Sequence, residues 1–448
     1  MNGRDSENLA AQLKARGHEI AENERDADVF VANTCSVREA AEQKALGKLS
    51  RVAYRKKNGF PIIGVMGCMP QNKGEEIVKA VPRIDFIAGS RKTPYVADYI
   101  EEIARRRRAG IIPPDAPKGE RKKWKFNDAI IDISDDETSH NQIKYHDFSR
   151  PQICANISIM QGCSMKCSYC IVPKTRGIER SRPMEDIVAE AKILARKGAK
   201  EIQLVGQVVN AYARKELPVL GGKSPFVQLL EKIDEIEGIE RIRFVSPHPA
   251  FFKSDLIEAY SRLKKVCEYA HLPLQSGSDR ILKQMRRPYT AEKFVKIAKE
   301  LKASKKIFSL STDVIVGYPG ETEEDFLMTC QAFRECLFDM AYIFKYSPRI
   351  GTVSAELQDD VSEEEKERRN QILLEILKKQ SLEFNERLVG TTQEVLIEGK
   401  AKRGAENLLG RTRTHRKVIF KAPDELIGKT VGVKILRAGV SAMDSRLE

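Results

Sequence analysis

The stretch MQGCSMKCSYC, residues 160–170, follows the apolar run ICANISIM and sets Cys163, Cys167 and Cys170 in one short loop. A β-branched run of that length reads as a strand, so the thiols stand at a strand's carboxyl end. Three thiols suit a metal centre, but a closed structural zinc site takes four ligands. His140 or His146 upstream could supply the fourth, yet zinc fingers and ribbons pair two ligand clusters, and the chain has no second Cys-x-x-Cys. A four-iron cluster held by three thiolates keeps one iron open, as a catalytic site requires. Inert packing of small thiols is the third possibility.

Outward from this loop, strand-like runs recur: EIQLVG (201–206), RIRFVS (241–246), YAHLPL (269–274), FSLSTDVIVG (308–317) and DMAYIFKYS (339–347). Amphipathic segments such as MEDIVAEAKILARKGAK (184–200) separate most of them. Six strand–helix units from 150 to 385 predict a partial (β/α)6 barrel, in which chemistry collects at the carboxyl ends of the strands. Unusual residues sit at those ends: Gly206-Gln207, Ser246-Pro247-His248, Gln275-Ser276-Gly277-Ser278 and Gly317-Tyr318-Pro319-Gly320.

Upstream, residues 1–108 alternate helix patterns (SENLAAQLKARGHEI, REAAEQKALGKLSRVAYRKK, GEEIVKAV) with strand patterns (ADVFVANTC, PIIGVMGC). Such alternation predicts a parallel sheet with crossover helices. Cys35 and Cys68 each end a strand there, and ligands at the carboxyl ends of adjacent parallel strands converge on one crevice. A lone cysteine so placed is also an ordinary small hydrophobe. Residues 109–149, rich in proline and charge, read as a linker or insertion. Ser362 with Glu365 marks the start of a long helix. Residues 386–448 read as a small antiparallel β-barrel, completing an α/β chain of three domains. In that tail Arg411, Arg413, His415, Arg416 and Lys417 form a cationic strip, either a solvated strand edge or a phosphate grip. Cys154, Cys267, Cys330 and Cys336 lack partners at ligand spacing and read as packing residues.

Composition narrows the class. The 448 residues are 41% hydrophobic and 31% charged, which excludes a disordered or membrane-embedded chain. No apolar run reaches a membrane span and the N-terminus is charged throughout, so the expected location is the cytoplasm. In that reducing compartment nine cysteines point to metal binding or catalysis rather than disulfides. A net charge of +13 favours a polyanionic partner.

The motifs GCSMKCSYCIVPKTRGIERSRP, LVGQVVNAY, RIRFVSPHP, HLPLQSGSDRILKQM, DVIVGYPGETEEDF and YSPRIGT, in this order, resemble the radical S-adenosylmethionine (SAM) methylthiotransferase family. The likeness is nearest the branch that acts on N6-isopentenyladenosine beside the tRNA anticodon, and covers nearly the whole chain outside the loop near 110–150. It implies that Cys163, Cys167 and Cys170 hold a 4Fe–4S cluster whose open iron takes SAM. It further implies that Gly206, Gln207, Gln275, Ser276, Asp313 and Arg182 bind the cofactor, and that Arg176 and Arg349 contact substrate. The bland reading of the three arginines is surface ion pairing. Val208 stands where the branch usually has Asn.

Cys35 and Cys68 would belong to the family's auxiliary 4Fe–4S cluster. Its third cysteine usually opens the string Cys-Gln-Met-Asn-x-x-Asp-Ser-Glu, and this chain starts just past that residue, so an upstream gene start is expected. The tail resembles a TRAM RNA-binding domain, with Arg411, Arg413, Arg416 and Lys417 gripping phosphates. The resemblance therefore implies an enzyme installing a methylthio group at C2 of the modified adenosine. Its expected cofactors are two 4Fe–4S clusters and SAM; its expected partners are the tRNA anticodon stem-loop, an external electron donor and a sulfur source. It is expected to act as a monomer with no membrane association. The alternatives are action on threonylcarbamoyladenosine tRNA or a ribosomal-protein aspartate, and a non-catalytic iron–sulfur RNA-binding protein.

Overall fold

The structure is a computed structural model, and it describes residues 1–36, 39–56, 60–110, 129–149, 151–402, 404 and 406–448. The chain divides into two compact units. The first comprises Met1–Arg150, Gln161–Met165 and Ile171–Arg182; the second comprises Pro151–Met160, Lys166–Cys170 and Pro183–Glu448.

The first unit is built on a four-stranded sheet, Val29–Thr34, Ile62–Gly67, Phe86–Gly89 and Ile130–Asp132, in sequential order and parallel throughout. Parallel sheets need cover on both faces. Ile63, Val65 and Ile87 pack against Leu49, Val52 and Ile77 on one side, while Ile62, Met66 and Phe86 pack against Leu9, Val96 and Ile100 on the other. The first helix, Asn2–Ala15, begins before the expected Ser6, because Met1 O already accepts from Asp5 N at 2.9 Å.

The expected linker, 109–149, is only partly described, since residues 111–128 lie outside the described ones. Residues 129–149 are folded into the unit. Ile130 and Ile131 extend the sheet beside Phe86–Gly89, covering an edge that would otherwise offer unpaired backbone groups. Tyr99 Oη donates to Asp132 at 2.7 Å and Tyr95 Oη to Asp136 at 2.6 Å, fastening the segment. Arg107 and Lys56 both pair with the fully buried Asp85.

The second unit holds the six expected strands as two parallel three-stranded sheets. One is Cys154–Ser158, Glu201–Val205 and Arg241–Phe244; the other is Tyr269–His271, Ser309–Val316 and Met340–Lys345. A parallel bridge between Ile242 and Val266 joins them into one arc. Ala155, Ile157, Ile202, Leu204, Ile242, Leu310 and Val314 share one apolar core with the covering helices. Ser362 caps the helix Glu363–Glu386 by accepting from Glu365 N at 3.2 Å. Beyond it, Thr392–Lys400, Asn407–Thr412, Lys417–Lys421, Thr430–Ala438 and Met443–Leu447 close a barrel. Its pairings are antiparallel except one: Lys417–Lys421 runs parallel to Met443–Leu447, where the last strand inserts to complete the ring.

Candidate functional site

In the second unit the strand ends carry the backbone specialisation that sites need. Ser246 (φ 61°) and Gln275 (φ 70°) adopt left-handed conformations although neither is glycine. Such strain persists where the surroundings over-determine it, and it clusters at functional sites. Gly317 (φ 69°) is required on two counts, because a Cβ there would also stand 2.3 Å from Lys366 Cγ. Gly206 lets the backbone approach Met160, whose Cγ would lie 2.6 Å from an added Cβ.

The part of the cysteine loop in this unit, Lys166–Cys170, is held by Ser168. Its Oγ donates to Gln284 O at 2.8 Å and meets Tyr318 Oη at 2.9 Å, while its amide donates to Met285 O at 3.1 Å. Arg287 then supplies what sequence reasoning missed. Its Nη1 donates to Cys167 Sγ at 3.3 Å, and its Nε donates to Tyr289 Oη at 2.9 Å. A buried guanidinium on a ligand sulfur is the kind of outer partner that orients a metal ligand and tunes its charge. The only sequence signal was a cation close behind a strand-end motif.

His248 of the Ser-Pro-His-Pro motif is buried beside this arginine. Its Nδ1 accepts from Ala250 N at 3.1 Å, and the Asn210 side chain clamps its backbone with bonds of 2.8 and 3.0 Å. Burial, then the nearby Arg287 and Arg214 cations, pushes its pKa down to about 2, so the ring is neutral.

The other expected cofactor residues divide. Gln275 and Asp313 are joined through the backbone, Gln275 N donating to Asp313 O at 2.8 Å. Gln207 is half-buried after its strand. Ser276 is fully buried and builds the turn instead, accepting from Ser278 N at 3.2 Å and lying 3.5 Å from Thr329 Oγ1. Arg349 is half-buried in the turn after Met340–Lys345, its carbonyl accepting from Thr352.

In the first unit, Thr34 pairs with Gly67 in register, so Cys35 and Cys68 follow neighbouring strand ends. Arg176, 4% exposed, donates to Asp5 at 2.8 Å and Asn2 at 2.9 Å. Burial opposes its charge, but Asp5 and Cys68 outweigh that and raise its pKa. Arg176 is thus a buried ion-pair partner beside the strand-end thiols, neither a surface group nor one held out toward substrate. Arg182 is buried too. Cys163 belongs to this unit: Met165 N donates to its Sγ at 3.4 Å, and its own amide donates to Gly177 O at 3.0 Å.

Among the described residues, no group of three or more His, Cys, Asp or Glu is placed to hold a single metal ion. His146 is engaged by Glu7 at 3.0 Å and Arg4 at 3.1 Å, which leaves the zinc reading without its fourth ligand there. A four-iron cluster spans several atoms, so its thiolates need not converge on one point. None of the nine cysteines is in a disulfide, and a cationic donor stands on the Cys167 sulfur. Burial raises the thiol pKa of Cys154, Cys267, Cys330 and Cys336, as befits packing residues.

The cationic strip of the tail is largely turned inward. Arg413 pairs with Glu268 at 2.8 Å and donates to Val266 O at 2.9 Å. Arg416, 5% exposed, lies 3.5 Å from Asp339, and its guanidinium covers the Phe384 ring. Arg411 pairs with Glu398 at 2.7 Å and its carbonyl accepts from Arg241 at 2.7 Å. Arg243 donates to Arg413 O and Thr412 O, both at 2.8 Å. Groups beside the strands of the arc claim Arg413 and Arg416, and Glu398 of the barrel itself claims Arg411, which corrects the expectation of an outward, phosphate-facing row. Lys417 alone of the four is exposed.

Three family models match the chain: an uncharacterized protein family, UPF0004, over residues 1–89; the radical SAM superfamily over 157–333; and the TRAM domain over 386–439. Among curated relatives, the tRNA-2-methylthio-N(6)-dimethylallyladenosine synthase of Opitutus terrae is 47% identical, covering 100% of this chain and 95% of the relative. The synthase of the same name from Akkermansia muciniphila is 45% identical over 97% of this chain and 94% of its own. Among solved structures, a radical S-adenosylmethionine methyltransferase, TsrM, from Kitasatospora setae has a TM-score of 0.53 at 14% identity, covering 78% of this chain and 70% of that one. That likeness concerns the fold alone.

Proposed function

The chain belongs to the tRNA-2-methylthio-N(6)-dimethylallyladenosine synthase family of radical SAM proteins, and we propose that it carries out that family's reaction on tRNA. It is a transferase that adds a methylthio group at C2 of N6-dimethylallyladenosine beside the anticodon. The observation that carries the reading is 47% identity along the full chain to a synthase of that name, joined to a barrel whose strand-end thiol Cys167 bears the Arg287 hydrogen bond.

Cys163, Cys167 and Cys170 would hold the 4Fe–4S cluster, which supplies the electron and the open iron for SAM that radical chemistry on an unreactive aromatic C–H demands. The protein's own contribution is position and exclusion of water. Ser168 fixes the loop, Arg287 orients Cys167, and the neutral His248 adds a donor without adding charge. The left-handed Gln275 and the close-packed Gly206 and Gly317 shape the floor on which a nucleoside is held.

Cys35 and Cys68 are read as ligands of a second, auxiliary cluster that takes part in sulfur transfer, with Arg176 balancing charge beside them. We read residues 1–108, with 129–149 folded onto them, as the auxiliary-cluster domain, 150–385 as the radical domain and 386–448 as the RNA-binding one. An external reductant and sulfur source complete the partner set, and a cytoplasmic monomer is the simplest state; no described helix is long and apolar enough to cross a membrane.

The test is nucleoside analysis of tRNA from a strain lacking the gene. N6-dimethylallyladenosine should accumulate without its methylthio derivative, and the gene should restore it while a Cys167→Ala copy should not. Normal methylthiolation in the deletion strain would overturn the assignment.

A further inference from the structure

Along Ser309–Val316, Leu310, Val314 and Val316 pack into the core with the covering helices, so Ser309, Ser311 and Asp313 lie on the opposite, inner face of the arc. Ser311 stands in register with His271, and Asp313 with Tyr342. On this face runs an unbroken polar chain. Tyr269 Oη lies 2.7 Å from Ser311 Oγ, Ser311 Oγ lies 2.8 Å from His271 Nδ1, and His271 Nε2 lies 3.2 Å from Asp313 Oδ2.

Its direction follows from donor and acceptor capacity. A carboxylate only accepts, so His271 donates through Nε2–H. With the ring's one proton on Nε2, Nδ1 accepts, and among the described residues the Ser311 hydroxyl is the group placed to donate to it. The Ser311 oxygen in turn accepts from the Tyr269 phenol, which burial keeps protonated. His415 of the C-terminal barrel stacks on the Tyr269 ring, with centroids 4.7 Å apart and planes at 25°, and so steadies the first member. The last member is accessible: the Asp313 side chain is 30% exposed, and Tyr342, 50% exposed, meets His271 edge-on beside it. An aimed carboxylate next to a half-open aromatic ring suits a flat ligand with donor groups.

We propose that His271 is a positioning residue: with Tyr269 and Ser311 it forms a one-way hydrogen-bond chain that aims the Asp313 carboxylate into the barrel as an acceptor for hydroxyl or amino donors of a nucleoside. The proposal rests on the reading that this barrel binds nucleosides. Two are in play, the SAM adenosine and the modified adenosine of tRNA, and the chemistry of recognition is the same for both.

Two variants separate position from mere bulk. His271→Gln keeps an N–H at the Nε2 position and so keeps Asp313 aimed; His271→Asn reaches only toward Ser311. With imidazole-15N-labelled protein, the His271 resonances, assigned by their loss in either variant, should report the Nε2–H tautomer, and Ser311→Ala should disturb it. Equilibrium binding of SAM to the reconstituted protein, and of tRNA in a separate arm, should show about tenfold weakening in His271→Asn but near-wild-type affinity in His271→Gln. A loss confined to the SAM arm assigns Asp313 to the cofactor, and a loss confined to the tRNA arm assigns it to the substrate. An Nδ1–H tautomer, equal losses in Gln and Asn variants, or no loss in either arm would overturn the proposal. Should His271→Asn fail to fold, Ser311→Ala carries the same binding comparison. Failure of the functional reading is distinguishable, for it would appear as wild-type protein that binds but never methylthiolates.

Discussion

Arg287 donates a hydrogen bond from Nη1 to Cys167 Sγ at 3.3 Å, while Tyr289 accepts from its Nε. The guanidinium is therefore locked on the sulfur rather than resting near it. Hydrogen bonds to charged groups contribute about 1.5–3 kcal/mol, and outer-sphere partners of this kind change metal affinity by about 10–100-fold. Arg287→Ala should leave secondary structure intact but lower iron retention after anaerobic reconstitution, measured by iron content and visible absorbance. Full iron content with unaltered absorbance would show that the contact is incidental.

The strand-end thiols of the first unit should be separable from radical formation. Cys35→Ala and Cys68→Ala should abolish methylthiolation of tRNA while 5′-deoxyadenosine is still released on reduction. Cys167→Ala should lose both. If Cys68→Ala retained methylthiolation, the thiol beside Arg176 would be a packing residue.

Much of this was legible because it is written in local pattern. Six apolar runs separated by amphipathic helices specify a parallel arc, and strand-end motifs mark its working side. Ser362 with Glu365 marked a helix start in the same way. What escaped was whatever depends on partners far apart in the chain. Arg287 lies 120 residues from Cys167, and Arg416 lies 77 from Asp339. A row of cations reads the same whether phosphate or buried carboxylate awaits it. The segment 129–149 failed for a related reason, since Ile130–Asp132 is too short to signal a strand and becomes one only against Phe86–Gly89.

That inward turn of the tail predicts a split between stability and RNA affinity. Arg413→Ala should destabilise the second unit, measured by denaturant unfolding, and leave the salt dependence of tRNA binding unchanged. Lys417→Ala should do the reverse, reducing the log–log salt slope by about 0.7–0.9, one phosphate contact. An Arg413→Ala protein of wild-type stability with a reduced slope would restore the phosphate role.

Asp85 offers a test of the first unit. It is buried between Lys56 and Arg107, and burial, opposed by Asp85, brings the Lys56 amine down to about 8. Asp85→Asn would strand two cations, and breaking a buried ion pair from one side costs about 3–5 kcal/mol. Chemical denaturation should therefore report a large loss of stability. A loss below about 1 kcal/mol would mean that water relaxes into the site.

The acid limb of stability should come from buried histidines of the second unit. Burial pushes His248 and His415 each down to about 2, against about 6.5 for a free imidazole. Between those values the unfolded chain binds more protons than the folded one, so stability rises with pH up to about 6.5 and is lost as pH falls below it. Summed over two groups, the loss from pH 6.5 to 5 is about 3 kcal/mol, in a window above the ordinary carboxylate range. Hydrogen exchange of peptides from 201–316, followed by mass spectrometry at the two pH values, should register it once intrinsic exchange rates are corrected. His248→Gln and His415→Gln should each remove about half of the pH dependence, whatever they do to stability at neutral pH. Should both variants keep the wild-type acid limb, the destabilisation must come from carboxylates and the two rings do not titrate on unfolding as their burial requires.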